Sequence, residues 1–576
     1  MAAQTSSTAA GATRAKIVPT QELRIVAEWL DGDPVSADVE VPYEQPEPGP
    51  RGYRVHVVDF DATTGRWRAP VHIPVTVARK PDIEDPSLHA QNVYAIVMRT
   101  LARFEFALGR NVGWSFRGGH QISIAPHAFQ GVNAFYSRRD RGLFFGYTYD
   151  GSKNLYTCLS HDVVAHETTH ALLDGLREGY LYASIPEQAA FHEGFADIVA
   201  LLSIFSIRDV VGAVLNRFAN QARQRGKRSP GARPVRRLGS RVIDYRDFTA
   251  TAIRNSAFGG LADGLGDRGA ALRRSAAIPP GKKREDREPH SMGELLVAAM
   301  MNTFIDVWLK RIEPLRVNSN IMDADRVAEE GATAAAHLLT MAIRALDYCP
   351  SAEITFADYL SALLTADYEV QVDDSKYHYR DVLRRSFKSY GIEANKTNGL
   401  EENLWEMPRL PLDYRYTHFE ALQRDEDAMF RFIWQNRQGL EVRNEAYVQV
   451  RSLRPCVRLS SDGFTVRETV AEYVEMVRLR AEELGGYKIS KPEHMPDNLS
   501  VTLFGGGVLI LDEYGRVKYH VKQSITNVPR QERFLKYLWS TGAYTGETQA
   551  NKGFAAIHRS RFLGAPINRE DEYGYF

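Results

Sequence analysis

The chain has 576 residues, of which 44% are hydrophobic and 25% are charged, and this composition excludes a disordered protein. Its 72 Lys and Arg residues balance 72 Asp and Glu residues, so no net charge directs it to nucleic acid, an anionic membrane or an acidic substrate. The three cysteines, Cys158, Cys349 and Cys456, are too few and too far apart for a disulfide framework. We therefore expect free thiols in a reducing compartment.

Residues 1–16 are small and polar and lack the apolar segment of a secretory signal, so we expect a disordered tail there. No stretch of the chain approaches the roughly 18 consecutive apolar residues that predict a transmembrane helix. The sequence therefore predicts a cytoplasmic protein without membrane association.

Residues 17–154 are predicted to form a β-rich lobe. Apolar and polar residues alternate up to about residue 80, on both sides of a turn at 63–65, which indicates hairpins. Asp85 followed by Pro86 predicts the start of a helix, and Gly109 predicts its end. Short strands are predicted after it, at 121–125, 133–137 and 143–147.

Residues 155–392 are predicted to form a mostly helical lobe, in which Thr355 and Asp358 predict a capped helix start. Apolar periodicity predicts the other helices, at 160–178, 188–207, 291–312, 323–346 and 378–390. Residues 217–241 carry nine Arg or Lys residues and no acid, which favours a solvated, flexible surface loop. A patch for nucleic acid or an acidic partner is the alternative, and we regard nucleic-acid binding as the weaker interpretation.

The remainder of the chain is predicted to be a linker at 393–415 and a separate α/β domain at 416–576, whose role the sequence leaves open. Within this domain, the apolar spacing at 464–484 predicts a helix, and 501–521 predicts a β-hairpin. The three consecutive glycines at 505–507 lie inside the strand pattern and indicate a β-bulge.

One segment, Asp162-Val-Val-Ala-His166-Glu167-Thr-Thr-His170, carries recognisable chemistry. Two histidines four residues apart lie about 40° apart around a helix, so both imidazoles project from one face and can bind one Zn²⁺ with Zn–N distances near ~2.1 Å. Glu167 lies beside that face, where it can accept a proton from water without filling the open coordination position.

A second segment, His192-Glu193-Gly-Phe-Ala-Asp197, opens another apolar helix and places Glu193 23 residues after His170. From an antiparallel neighbour, Glu193 can supply a third metal ligand and complete a set of two histidines and one carboxylate. The alternative is that the paired histidines are hydrogen-bonded core residues and that Glu193 begins an ordinary helix. The double pattern favours the metal site over this alternative.

Together, DVVAHETTHALLDG and HEGFADIVALL resemble the motifs of the thermolysin-like zinc metallopeptidases, or gluzincins, over about residues 87–392. The resemblance implies an α+β fold of two lobes with the active site in the cleft between them. It implies that His166, His170 and Glu193 bind one catalytic zinc ion and that Glu167 is the general base.

The resemblance also assigns supporting residues. Asp162 and Asp197 match carboxylates that orient the ligating imidazoles, although Asp162 is equally compatible with an acid at a helix N-terminus. The segment around Asn133 and Ala134 is similar to the edge strand of the family, which binds an extended peptide through main-chain hydrogen bonds. Without the family match, this segment would be one more half-buried strand.

Three further assignments concern the transition state and the substrate. His290 matches the second catalytic histidine, which would stabilise the oxyanion, and Tyr182 matches the tyrosine that supports it. Arg273 matches the arginine of the primed-side pocket. The sequence leaves alternatives: Tyr180 could replace Tyr182, and Arg254 or Arg274 could replace Arg273. His290 could instead be a surface histidine near a helix N-terminus. If it is catalytic, Asp286 or Glu285 could orient it.

The sequence also departs from the family. The helix after Glu193 continues as Ile198-Val-Ala-Leu-Leu-Ser-Ile-Phe205, without the acids of a calcium cluster, so a structural Ca²⁺ is doubtful. About 85 residues precede the region of resemblance, fewer than the usual secretory propeptide, so we expect narrow specificity or a regulatory protein partner. The predicted function is zinc-dependent hydrolysis of peptide bonds, and the alternative is a zinc-containing effector or binding module with little turnover.

Overall fold

The computed structural model describes residues 19–544, apart from 31, 62, 79, 117–119, 150, 181–183, 228–241, 255–277, 282–288, 317–319, 352, 397–402, 409–410, 460–464, 541 and 543. Within these residues the fold mixes helices and strands, as the α+β prediction requires. The first part of the chain is β-structure, and the predicted turn at 63–65 joins β4 to β5. The strands are β1 (Thr20–Leu30), β2 (Asp33–Pro42), β3 (Val55–Val57), β4 (Phe60–Asp61) and β5 (Arg66–Trp67).

The first helix, α1 (Pro86–Leu108), begins and ends at the predicted residues. Asp85 caps its N-terminus by accepting a hydrogen bond from the backbone N–H of Ser87. Gly109 ends it in the left-handed region at φ 68°, a conformation that glycine adopts without a steric penalty. Every residue of α1 from Leu88 to Leu101 is buried, so this helix is enclosed by the strands and by other helices.

A mixed sheet follows α1 and contains the predicted edge strand. Its order is β3-β6-β8-β7, with β9 also paired to β8, so that β7 lies at one edge. The pairs β3–β6 and β6–β8 are parallel, whereas β7–β8 and β8–β9 are antiparallel. The strands are β6 (Ile122–Gln130), β7 (Ala134–Ser137), β8 (Gly142–Tyr149) and β9 (Asn154–Tyr156).

The middle of the chain is predominantly helical, with a short β-pair between β10 and β11. Its elements are α2 (His161–Leu176), α3 (Pro186–Phe205), α4 (Arg208–Lys227), β10 (Val242–Asp244), α5 (Ala250–Arg254), α6 (Pro289–Ile312), β11 (Ile321–Asp323), α7 (Ala324–Arg344), α8 (Phe356–Val370) and α9 (Tyr379–Lys388). Thr355 and Asp358 form the predicted capping box at the start of α8.

Two observations qualify the sequence predictions in this region. The basic run at 217–241 was predicted to be a surface loop. Helix α4 extends through Lys227, so the first part of the run is helical, and residues 228–241 lie outside the described residues. The segment Ser291–Leu315 is long and apolar enough to cross a membrane. However, 72% of its apolar window is buried inside the protein, as expected for a core helix.

The last part of the chain forms a four-stranded antiparallel sheet in the order β12-β13-β14-β15. Its elements are α10 (Phe419–Leu422), α11 (Glu426–Gln435), β12 (Tyr447–Leu459), β13 (Thr465–Arg480), β14 (Ser500–Leu511), β15 (Val517–Gln523) and α12 (Val528–Ser540). The predicted hairpin at 501–521 is confirmed as β14 and β15. No register shift occurs between β13 and β14 at the three glycines, so the predicted bulge there is wrong.

The predicted helix at 464–484 is also wrong, because its main part is the long central strand β13. Val466, Val470 and Val474 are spaced by four residues, which fits one face of a helix and equally fits one face of a strand. Pairing with β12 on one side and β14 on the other satisfies the backbone of β13 and decides between the two. The β-branched side chains of these three valines also favour the pleated surface of a sheet.

The C-terminal sheet shares its core with the helical region. Cys456, Val470 and Val508 belong to the same hydrophobic cluster as residues of α1, α2 and α3. Buried ion pairs cross the same boundary. Arg458 on β12 pairs with both Asp347 and Glu468. The Asp347 carboxylate also accepts two hydrogen bonds of 2.6 Å from Arg110, which follows α1.

Replacing Asp347 by Asn should be strongly destabilising, because the guanidinium group of Arg110 loses its counter-charge and that of Arg458 keeps only Glu468, at a cost of about 3 kcal/mol or more. Burial raises the pKa of Asp347, but the two arginines outweigh burial and hold that pKa well below its usual range. This ion pair therefore stabilises the fold at pH values above about 4, and the stabilisation is lost as the pH falls towards the depressed pKa.

The measurement is the urea or thermal unfolding midpoint of the Asp347→Asn variant at neutral pH. Asp38→Asn is the matched control, because Asp38 also accepts two hydrogen bonds from one arginine, Arg24, but on an exposed strand pair. We expect little change for this control. Equal midpoints for the two variants would show that the buried pair does not hold the sheet in place.

Candidate metal centre and its surroundings

The first predicted motif lies on α2, and the interior of this helix is almost completely buried. Val164, Ala165 and Leu172 pack into the core, and the hydroxyl groups of Thr168 and Thr169 donate to backbone carbonyls one turn earlier. His166 and His170 are 4% and 2% exposed, so their rings are withdrawn from bulk water. A helix with such a face is stable only where its polar side chains find partners inside the protein.

Three predicted ligands converge on one point. The Nε2 atoms of His166 and His170 lie 2.9 Å apart. Glu193 on α3 places one carboxylate oxygen 3.6 Å from Nε2 of His166 and the other 3.8 Å from Nε2 of His170. Two ligands bound to one zinc ion at a tetrahedral angle would be about 3.4 Å apart. The spacing of these three groups therefore fits a single ion.

The other ring nitrogens are held by neighbouring groups. Nδ1 of His166 lies 2.7 Å from Oδ1 of Asp197, one turn beyond Glu193 on α3. Nδ1 of His170 lies 2.8 Å from Nδ1 of His192, and the two rings stack with centroids 4.7 Å apart. Protons on these outer nitrogens leave both Nε2 lone pairs directed at the ligand position. The predicted orienting role of Asp197 agrees with this contact.

Asp162 occupies a different position from Asp197. Its Oδ1 accepts a hydrogen bond from the backbone N–H of Val163 at 2.9 Å and another from the hydroxyl of Ser160. These are the contacts of an acid at a helix N-terminus, which is the alternative that the sequence left open.

The charge of this cluster favours a cation. Burial lowers the pKa of His166, but the hydrogen bond and negative charge of Asp197, together with Glu193 and Glu167, outweigh burial and raise that pKa to about 9. Without a metal ion, this imidazole is therefore protonated at neutral pH. A metal ion has to displace the proton, so metal affinity should increase with pH up to this value. The buried side chains of His166, Glu167 and His170 could bind a metal ion.

Glu167 lies close to the predicted metal ligands and contacts the edge strand. One of its oxygens, Oε2, accepts a hydrogen bond of 2.9 Å from the backbone N–H of Tyr136 on β7. The Tyr136 hydroxyl donates to the carboxylate of Asp174 at 2.7 Å and forms a second hydrogen bond of 2.7 Å with the hydroxyl of Ser115, which holds the strand against α2. The ligand atoms of Glu167, His166 and His170 all lie within 4.8 Å of one another. Glu167 is therefore fixed beside the ligand position, as a general base requires.

The backbone of Ala134 faces the same side as Glu167. In an antiparallel pair, successive residues direct their backbone N–H and C=O groups alternately towards and away from the partner strand. Gly146 on β8 donates to the carbonyl of Asn133, so Asn133 faces β8, whereas Tyr136 donates to Glu167. Ala134 therefore directs its backbone N–H and C=O groups away from β8, to the same side as the hydrogen bond from Tyr136 to Glu167.

Helix α6 is brought close to Glu193 by two glycines. A Cβ atom on Gly293 would lie 2.8 Å from the carbonyl oxygen of Ala190 and 3.1 Å from the backbone nitrogen of Gly194. A Cβ atom on Gly194 would lie 2.9 Å from the carbonyl oxygen of Gly293. The backbones of α3 and α6 therefore touch beside Glu193. Position 290 lies at the start of α6, one turn before this contact, and the side chain of His290 lies outside the described part of the structure.

Several predicted residues lie outside the described residues: Tyr182, Arg273, Arg274, Glu285 and Asp286. Two of the alternatives are described and have other partners. The hydroxyl of Tyr180 donates to the carbonyl of Pro350 in the core, and Nε of Arg254 donates to Asn302 at 2.5 Å.

His192, Tyr136 and Asp174 have contacts at this site that the sequence did not assign. His192 was recognisable only as the neighbour of Glu193, and its stacking on His170 depends on how α2 and α3 pack. Asp174 lies four residues after His170, the same spacing as that between the two histidines, so its proximity to their face was predictable from the helix period.

Comparison with known proteins adds no assignment: no family model matches the chain, and no curated protein is found to be similar to it. The arrangement of His166, His170, Glu193 and Glu167 is therefore the observation that bears on function.

Replacing Asp197 by Asn should weaken metal binding about 10- to 100-fold, because the His166 ring loses the carboxylate that orients it. Asp162→Asn is the matched control on the same pair of helices, and we expect a change of severalfold at most, since the contacts of Asp162 are at the helix N-terminus. Competition with a fluorescent chelator measures both affinities. Equal losses in the two variants would contradict this assignment.

Replacing Gly293 by Ala should force α3 and α6 apart, because the new methyl group meets backbone atoms and not flexible side chains. Overpacking of this kind costs about 1–3 kcal/mol, and displacement of Glu193 should lower metal affinity at least about tenfold. Gly212→Ala on α4 is the control, because nothing lies within 4 Å of the position that its methyl group would take and alanine favours the helix. Unchanged metal affinity in Gly293→Ala would show that the glycine contact does not position Glu193.

Proposed function

We propose that the chain is a zinc-dependent endopeptidase with the two-lobed arrangement of the thermolysin-like metallopeptidases. In this proposal, residues 17–154 form the lobe that binds substrate, residues 155–392 form the lobe that binds zinc, and the substrate lies in the cleft between them. The observation that carries the proposal is the convergence of His166, His170 and Glu193 beside Glu167 and an edge strand.

The donor set supports zinc among the common metals. Two imidazoles and one carboxylate with a remaining open position are typical of catalytic zinc sites. Zinc held by these residues would supply a Lewis acid that polarises a peptide carbonyl and makes water more acidic.

The surrounding residues would bind the substrate and move protons. A peptide in extended conformation would pair with the main chain of Ala134, and Asn133 would help to fix its register. Glu167 would take the proton of the attacking water on its carboxylate and pass it to the leaving amine. His290 and Tyr182 would stabilise the oxyanion, and Arg273 would contact the primed side of the substrate.

This proposal is tested by Glu167→Gln, which keeps the shape of the side chain and its hydrogen bond to Tyr136 but removes the base. We expect turnover of a peptide library to fall by at least about 100-fold, the usual contribution of a general base, with metal content unchanged. Glu329→Gln, on the exposed part of α7, is the matched control and should retain full activity.

Metal content and cleavage are measured on the same samples. Loss of cleavage with retained zinc supports the enzyme. A wild-type chain that holds zinc and binds peptides but does not cleave them would favour the binding-module alternative. A chain that binds no divalent ion would refute both.

A further inference from the structure

A second cluster of metal-ligating side chains lies outside the candidate metal centre. His89 on α1, His127 on β6 and Cys158, just before α2, have ligand atoms within 4.8 Å of one another. All three are buried, with exposures of 1%, 1% and 0%. Cys158 forms no disulfide. The three residues come from segments far apart in sequence and meet only in the folded chain.

An irregularity in β6 directs His127 into this cluster. Pairing with β8 is interrupted between Ala125 and Phe129, so the strand bulges at the histidine. Bulges commonly re-aim a side chain in this way. The His127 ring packs against His89 and Tyr156, with centroids 5.0 and 5.7 Å away, which shields the cluster from solvent.

The outer nitrogen of each ring is bound to an acceptor. Nδ1 of His127 lies 2.8 Å from Oδ1 of Asp59, and Nε2 of His89 lies 2.8 Å from the carbonyl oxygen of Ile83. Because a carbonyl and a carboxylate only accept, each of these nitrogens carries a proton. In neutral rings, the inner nitrogens therefore have lone pairs.

These inner nitrogens, Nδ1 of His89 and Nε2 of His127, lie 2.8 Å apart. Two lone pairs at that distance repel each other unless a proton or a metal ion lies between them. The same arrangement, at 2.9 Å, occurs between His166 and His170 in the candidate metal centre.

A proton between the inner nitrogens of His89 and His127 has fewer negative charges around it than a proton between His166 and His170. Three carboxylates surround that pair, those of Asp197, Glu193 and Glu167. The carboxylate that contacts the second pair is that of Asp59, and Arg68 lies 3.9 Å from it. An imidazolium buried beside one shared carboxylate is costly.

We propose that His89, His127 and Cys158 bind a second zinc ion, through Nδ1, Nε2 and Sγ respectively. Mixed imidazole and thiolate ligands are typical of zinc, and all three side chains are buried. Binding displaces the thiol proton to solvent, and the resulting thiolate together with Asp59 balances the two positive charges of the ion. A water molecule would complete a tetrahedral shell.

The position of this site indicates what the ion does. It joins the first turn of α1, the bulge of β6 and the turn that leads into α2, which carries the paired histidines of the candidate metal centre. The ion would therefore fix the start of α2 against the β-rich part of the molecule. This inference does not depend on peptidase activity.

The test uses the full-length chain loaded with cobalt(II), with the bound metal counted. We expect two ions per chain and an absorption band from thiolate-to-cobalt charge transfer. Cys158→Ser should remove the band and one ion. Cys349→Ser and Cys456→Ser are the matched controls, because these cysteines are also buried and free, and both variants should keep the band.

If Cys158→Ser does not fold, the two control variants still identify the ligand. The chain has three cysteines, so an absorption band that persists in both Cys349→Ser and Cys456→Ser must come from the thiolate of Cys158. Glu193→Gln should weaken binding of the other ion and leave the band intact. Fully loaded wild-type protein with one ion per chain and no thiolate band would overturn the proposal. A band lost in either control variant would also overturn it. Retention of the band in a chain that cleaves no peptide would refute the proposed function alone.

Discussion

The burial of polar groups in the core is the constraint on which the rest of this structure depends. A buried imidazole, carboxylate or guanidinium is tolerated only where its protons and lone pairs have partners. Histidines and carboxylates meet this requirement around His166, and arginines and carboxylates meet it around Asp347. Each of these two clusters joins segments that are distant in the sequence.

This constraint explains why the helices of the candidate metal centre cross where they do. Glu193 reaches the histidine pair only because α3 packs against α2, and α3 is held in turn by the close glycine contact with α6. The two outer nitrogens of the histidine pair are occupied by Asp197 and His192, both on α3. One helix thus contributes the predicted ligand Glu193 and both groups that contact the outer nitrogens, so a small shift of α3 changes the whole set together.

The sequence was sufficient for features that depend on nearby residues. The cap at Asp85, the end at Gly109 and the capping box at Thr355 are local, and all three were correctly predicted. The convergence of His166 and His170 follows from the helix period alone. The strand β13 was predicted as a helix because a four-residue spacing is compatible with both structures, and only its pairing with two neighbouring strands decides the outcome. The contact between His170 and His192 was likewise not predictable, because it depends on the packing of two helices.

The C-terminal sheet is bound directly to the helix that carries the histidine pair. Arg177, immediately after α2, pairs with Glu472 on β13 at 2.5 Å, and Arg454 on β12 donates to the carbonyl of Leu176 at 2.7 Å. These contacts satisfy the buried C-terminal end of α2, which would otherwise lack a hydrogen-bond partner and a counter-charge. Deleting residues 400–576 would therefore expose this end and remove Glu472 from Arg177. A loss of activity on truncation would report a disrupted helix, so a regulatory role of this sheet has to be sought with substitutions on its exposed surface.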